Sequence, residues 1–172
     1  YRDWILRTKN KMKIAESQLR RLVREQIAAS DFKAWKRKNV TLRGMTDVHQ
    51  NNGVYGSFGK GLYSVPLGNR AMAEQYGDVY FVVGGIPRHP KIVQGLNAAE
   101  LLRQDLAEEF CKKHGESLSM RFFNANTTMD VEMLANGFDG LIIKGREMVS
   151  YAPKNVQYFR TNNELQKYFD TL

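Results

Sequence analysis

Cysteine is nearly absent from this 172-residue chain: Cys111 is the single one, so no internal disulfide can form and a reducing compartment is favoured. The three histidines, His49, His89 and His114, are scattered, and Cys111 with His114 lacks the second pair of ligands that a structural zinc site requires. No metal is expected. No apolar run approaches the roughly 20 residues of a membrane helix, and no charged-then-apolar leader opens the sequence. The chain begins at Tyr1 rather than Met, which leaves open a targeting signal further upstream. Gly-x-Ser-x-Gly and His-Glu-x-x-His are both missing, which removes two common hydrolase arrangements.

What is present is an ordinary globular composition, 42% hydrophobic and 26% charged, at a length that suits one domain with an appendage. The net charge of +8 is unevenly placed. Residues 1–40 hold 12 Lys/Arg against 4 Asp/Glu, and the remainder holds 14 of each. We therefore divide the chain into a basic helical extension over 1–39 and a charge-neutral domain over 40–172. In the extension Ile5, Met12 and Leu19 recur every seven residues, as do Thr8, Ala15, Leu22 and Ala29, with Val23 and Ile27 widening the stripe. Such a stripe fits packing on the chain's own domain, on an upstream segment or on a partner. The basic faces fit nucleic acid or an anionic membrane surface, and the sequence leaves these readings open.

Beyond the extension the pattern is mixed. Strands are expected at 40–45, 62–65, 79–83, 140–144, 147–151 and 156–159, with a Gly-rich loop over 52–61. A short helix is expected over 69–76, closed by Gly77. A longer one is expected from an Asn97 cap to Gly115, turning Leu101, Leu102, Leu106 and Phe110 inward. Residues 129–135 read as another short helix. Thr161 and Glu164 form a capping box for a terminal helix burying Leu165, Phe169 and Leu172. Strands that do not alternate regularly with long helices imply an α+β domain.

The glycines at 53, 56, 59 and 61 invite a phosphate-loop reading, but the spacing refuses it: a Walker loop needs Gly at 54 and Ser or Thr at 61, which are Val54 and Gly61. A Rossmann fingerprint fails at Ser64. Three segments become specific only together: Thr41 to Thr46 with Arg43 and Gly44, Gly59 to Pro66 with Tyr63 and Ser64 and then Ala73 to Tyr76, and Gly137 to Pro153 with Glu147 opening a late strand. In that order they resemble the three core motifs of NAD-dependent ADP-ribosyltransferases, over roughly residues 40–160. The second and third are similar to the diphtheria-toxin and poly(ADP-ribose) polymerase branch. Arg43 stands where that branch carries His, as in the cholera-like branch. Arginine-directed members have Glu or Gln where this chain has Gly145, which speaks against arginine as acceptor.

The resemblance implies a split two-sheet β core with flanking helices, with NAD as substrate and no metal. It implies that Arg43 and Gly44 anchor NAD, that Tyr63, Ser64 and Tyr76 line the nicotinamide site, and that Glu147 stabilises the ribosyl cation. Catalytic roles would fall to Glu147, Tyr63 and Arg43. The implied activity is mono-ADP-ribosyl transfer to a macromolecular acceptor, protein or nucleic acid, in a bacterial or phage effector or toxin. The alternatives are an NAD glycohydrolase, a tRNA 2'-phosphotransferase, and a non-catalytic RNA- or protein-binding module on the same fold.

Overall fold

A computed structural model describes residues 38–46, 54–117 and 120–172. The extension expected over 1–39 lies outside the described residues except for Lys38 and Asn39, as do Asn52 and Gly53 of the Gly-rich segment. Among the described residues, eight strands and four α-helices follow in the order β1 (Val40–Met45), β2 (Val54–Gly56), β3 (Gly59–Pro66), α1 (Arg70–Glu74), β4 (Asp78–Val83), β5 (Pro90–Val93), α2 (Gly95–His114), α3 (Met120–Ala135), β6 (Gly140–Ile143), β7 (Glu147–Ser150), β8 (Gln157–Phe159) and α4 (Asn162–Asp170). The class is α+β. The strands form one hydrogen-bonded path, β5-β6-β7-β3-β1-β4-β8, with β2 added to β3, rather than two detached sheets.

The path is weakest between β1 and β3, and that weakness shapes the molecule. β1 pairs with β4 along its whole length, from Val40 opposite Val83 to Met45 opposite Asp78. Against β3 it keeps only Thr41 opposite Pro66 and Leu42 opposite Val65. Upstream of Val65, β3 pairs instead with β7, Leu62 to Ser64 lying opposite Ser150 to Met148. The two halves of the sheet therefore diverge just where Arg43 and Gly44 face Ser64 and Tyr63, and an opening is left between them.

The core lies on one face of the β6-β7-β3 half. Leu141, Ile143 and Val149 point there by strand alternation and meet Phe58, Ala99, Leu106, Met129 and Met133, with Tyr63 and Tyr151 packed at the margin. Phe58 is buried although it sits in the turn between β2 and β3. Two tyrosines hold that turn: the Tyr63 hydroxyl accepts from Phe58 N at 3.0 Å and donates to Gly59 O at 2.7 Å, and the Tyr151 hydroxyl donates to Phe58 O at 3.0 Å.

Several expectations need correction. The segment 52–61 is no simple loop, since β2 and the start of β3 make a hairpin there. The third helix begins at Met120, well before the expected 129. Asn124, Asn126, Thr127 and Thr128 are weak helix formers, and packing of α3 along α2 outweighs that preference. β5 was not anticipated, because a four-residue edge strand opening on Pro90 carries little pattern of its own. Asn97 does not cap α2: the helix starts at Gly95 and has no side-chain cap. Leu101 is exposed rather than inward, because the buried stripe is Ala99, Leu106, Ala107 and Cys111 and Leu101 lies some 200° around the helix from Ala99. The terminal capping box forms as expected and Leu165 is buried, but Leu172 is exposed. Cys111 is buried and free. Among the described residues no helix is long and apolar enough to cross a membrane.

Candidate functional site

The opening between β1 and β3 continues into a cleft of about 460 Å³, lined on one side by Leu42 to Thr46 and on the other by Tyr63, Ser64 and Val65. That is a size typical of small-molecule sites. Ala73 and Tyr76, on and just beyond α1, close a third wall. The β2–β3 turn contributes Gly56 to Phe58, the start of α2 contributes Leu96 and Glu100, and the β6–β7 turn contributes Arg146 and Glu147. All six residues singled out in the sequence, Arg43, Gly44, Tyr63, Ser64, Tyr76 and Glu147, therefore line one cleft.

Each is positioned by a different local cause. Gly44 is required by close approach: a Cβ there would lie 1.9 Å from the Ala73 carbonyl oxygen and 3.0 Å from Tyr76 Cβ, so only glycine lets α1 settle against β1. Tyr63 is half-buried, with its ring against Gly56, where a Cβ would come 2.4 Å from the ring carbon that bears the hydroxyl. The hydroxyl is engaged by the turn, so the ring has a fixed orientation. Burial pushes the Tyr63 pKa well above the ordinary tyrosine range, against the pull of the Phe58 N–H, and the charges of Glu147 and Asp130 push it further the same way. The ring is therefore neutral at any ordinary pH. Tyr76, by contrast, is 59% exposed and leaves its ring free at the rim.

Glu147 opens β7 opposite Ile143, and its side chain keeps only 12% of its exposure. Arg146 Nε lies 3.3 Å from its carboxylate. The turn that presents both is fixed by Arg146 N donating to Ile143 O and by Asn69 Nδ2 donating to Arg146 O at 3.2 Å. Arg43 is 5% exposed. Burial lowers its pKa, with the nearby Tyr158 opposing. Its Nη1 and the Ser64 Oγ are buried without any hydrogen-bond partner, and both residues line the cleft.

Sequence reading missed Leu96, Glu100, Arg146 and the Ser57–Phe58 turn as cleft residues. Only the tertiary arrangement brings α2 to the mouth, where Glu100 pairs with Arg103 at 2.7 Å. Among the described residues no group of three or more His, Cys, Asp or Glu is placed to hold a metal ion. Comparison with protein-family models, with curated proteins and with solved structures finds no match.

Proposed function

We propose that the chain is an ADP-ribosyltransferase: it cleaves NAD in the β1/β3 cleft and transfers ADP-ribose to a macromolecular acceptor, protein or nucleic acid. The observation that carries this reading is convergence. Arg43 and Gly44, Tyr63 and Ser64, Tyr76, and Glu147 are about a hundred residues apart at the extremes of the chain segment they span, and they line one cleft in the order of the family's three motifs. The split two-sheet core of that family corresponds here to a sheet that parts between β1 and β3.

The chemistry suits these groups. As the bond from the ribose C1' to the nicotinamide nitrogen breaks, its electron pair leaves with nicotinamide, which becomes neutral, and positive charge develops on the ribose. A fixed carboxylate with little exposure stabilises that charge far more than one in water would, and this is the role of Glu147. Tyr63 offers the nicotinamide an apolar ring face of set orientation, and Tyr76 covers it from the rim. Gly44 lines the cleft just past the last β1–β3 pair, and its backbone would hold the nicotinamide amide. The acceptor then forms its bond to C1' and gives up a proton.

Incubation with labelled NAD and a cell extract tests the reading. Label expected on a macromolecule is assigned to protein by protease sensitivity or to nucleic acid by nuclease sensitivity. Release of free ADP-ribose alone would replace transfer with hydrolysis. Absence of both NAD turnover and NAD binding would overturn the reading altogether.

A further inference from the structure

Two carboxylates line the cleft, Glu147 and Glu100, and among the described residues its walls hold no other carboxylate and no histidine or lysine. Strand register brings the elements that carry the pair to the same end of the sheet. Glu147 lies opposite Ile143 on β6, and Ile143 lies opposite Val93 on β5. α2 starts just beyond Val93, at Gly95. Glu147 also shares a sheet face with Val149, two residues along, and Val149 belongs to the same core as Ala99 of α2. α2 therefore covers the face from which Glu147 projects. Leu96 and Glu100, one turn apart on that helix, both reach the cleft.

The surroundings of the two carboxylates differ. The Glu147 side chain is 12% exposed and lies beside Arg146, whereas that of Glu100 is 33% exposed and is open to a group entering from solvent. Arg103 engages one oxygen of Glu100, Oε2, at 2.7 Å, and no described residue donates to the other. A carboxylate oxygen left open at a cleft mouth can take a proton. Transfer of ADP-ribose needs such a group, because a hydroxyl that attacks C1' must lose its proton. Glu147 is a poor recipient: protonation would cancel the charge with which it stabilises the ribosyl cation. Sugar transfer through such a cation commonly divides the two tasks between two carboxylates.

We propose that Glu100 is the general base of the transfer step and that the acceptor attacks as a neutral hydroxyl. This rests on the NAD reading. The acceptor oxygen forms its bond to C1', its proton passes to Glu100, and nicotinamide keeps the electron pair of the bond that broke. Water then takes the proton from Glu100. A nucleophile without a proton to lose gains nothing from this carboxylate. Azide is of that kind, and so is nicotinamide itself, returning through its ring nitrogen.

Four reactions of NAD with the full chain test the role: exchange of labelled nicotinamide into NAD, and capture of the ADP-ribosyl group by water, by methanol and by azide. Glu100→Ala is expected to lower capture by water and by methanol about 100-fold, to keep nicotinamide exchange within a few-fold, and to recover NAD turnover when azide is added, with ADP-ribosyl azide as product. Glu147→Gln is expected to lose all four reactions together, with no recovery by azide. Arg103→Gln breaks the same ion pair but keeps the Glu100 carboxylate, and is expected to resemble the unaltered chain. A defect in Arg103→Gln equal to that of Glu100→Ala would make the ion pair the cause and overturns the proposal. Capture of water and methanol by Glu100→Ala at the unaltered rate overturns it as well. Loss of exchange along with capture in Glu100→Ala would make Glu100 a second stabiliser of the cation, which also overturns its role as base. Each of those results leaves NAD cleavage standing, whereas an unaltered chain that neither exchanges nor releases nicotinamide overturns the NAD reading itself and the base with it.

Discussion

Replacing Gly44 with alanine separates two roles that the Arg-Gly pair carries at once. The added Cβ would sit 1.9 Å from the Ala73 carbonyl oxygen, 2.9 Å from its carbon and 3.0 Å from Tyr76 Cβ. Ordinary contact begins near 3.5 Å, so α1 must retreat by roughly 1.5 Å. The obstacle is helix backbone at Ala73, itself buried, and cannot rotate aside as a side-chain tip would. Overpacking of this kind costs about 3 kcal/mol, a fall of about 10 °C in Tm for a domain of this size. Gly115→Ala is the control. Beyond its chain neighbours and its own helix backbone, no described atom lies within 4 Å of its added Cβ, and its φ is +66°, so it suffers backbone strain alone, about 1 kcal/mol. Urea unfolding gives both numbers. NAD binding by calorimetry, at a temperature where both variants are folded, then separates them, because only Gly44→Ala moves Tyr76 and the cleft wall. Equal stability losses, or Gly44→Ala with unaltered stability, would refute the packing argument. Loss of NAD binding without loss of stability would mean that the glycine matters only as a ligand contact.

Three further outcomes follow from the same structure. Tyr63→Phe strips Phe58 N and Gly59 O of their partner, and is expected to cost about 1–2 kcal/mol in urea unfolding and to loosen the β2–β3 turn, read as faster hydrogen exchange at Phe58. Asp139 accepts from Arg88 N at 2.9 Å and from His89 N at 2.8 Å. Burial alone would raise its pKa, but those two N–H groups and the nearby His89 outweigh it, and the net shift is downward. Its contribution is therefore present above the ordinary carboxylate value near pH 4 and is lost as pH falls through the lower folded value. Asp139→Asn should cost on the order of 1 kcal/mol at neutral pH and flatten the acid limb of a stability-against-pH curve. An unchanged acid limb would sink this assignment. Thr161→Ala removes the hydroxyl that accepts from Glu164 N and should cost about 1 kcal/mol, with exchange quickened in the first turn of α4 and not in α2.

Legibility in the sequence followed how local the cause was. β1, the terminal capping box and the turn before Glu147 are written in neighbouring residues, and each was placed within a residue or two. That six residues from three separated segments line one cleft follows the order in which those segments stand in the sequence. The start of α3 is not read from propensity, because Asn124, Asn126, Thr127 and Thr128 are weak helix formers. Leu101 was turned the wrong way because a leucine-rich helix offers two apolar faces, and only contact with Met129 and Met133 selects the one through Ala99 and Leu106. The second carboxylate of the cleft, Glu100, comes from α2, and no single-sequence pattern records that this helix reaches the mouth.

The central claim is that the cleft cleaves NAD with Glu147 stabilising the ribosyl cation. Nicotinamide release from NAD by the purified chain and by Glu147→Gln, with NAD binding measured in parallel, tests it most directly. Release is expected from the unaltered chain, and for Glu147→Gln a drop in kcat of at least about 100-fold with NAD affinity held within a few-fold. Equal release by the two proteins, or NAD binding without release by either, would contradict it.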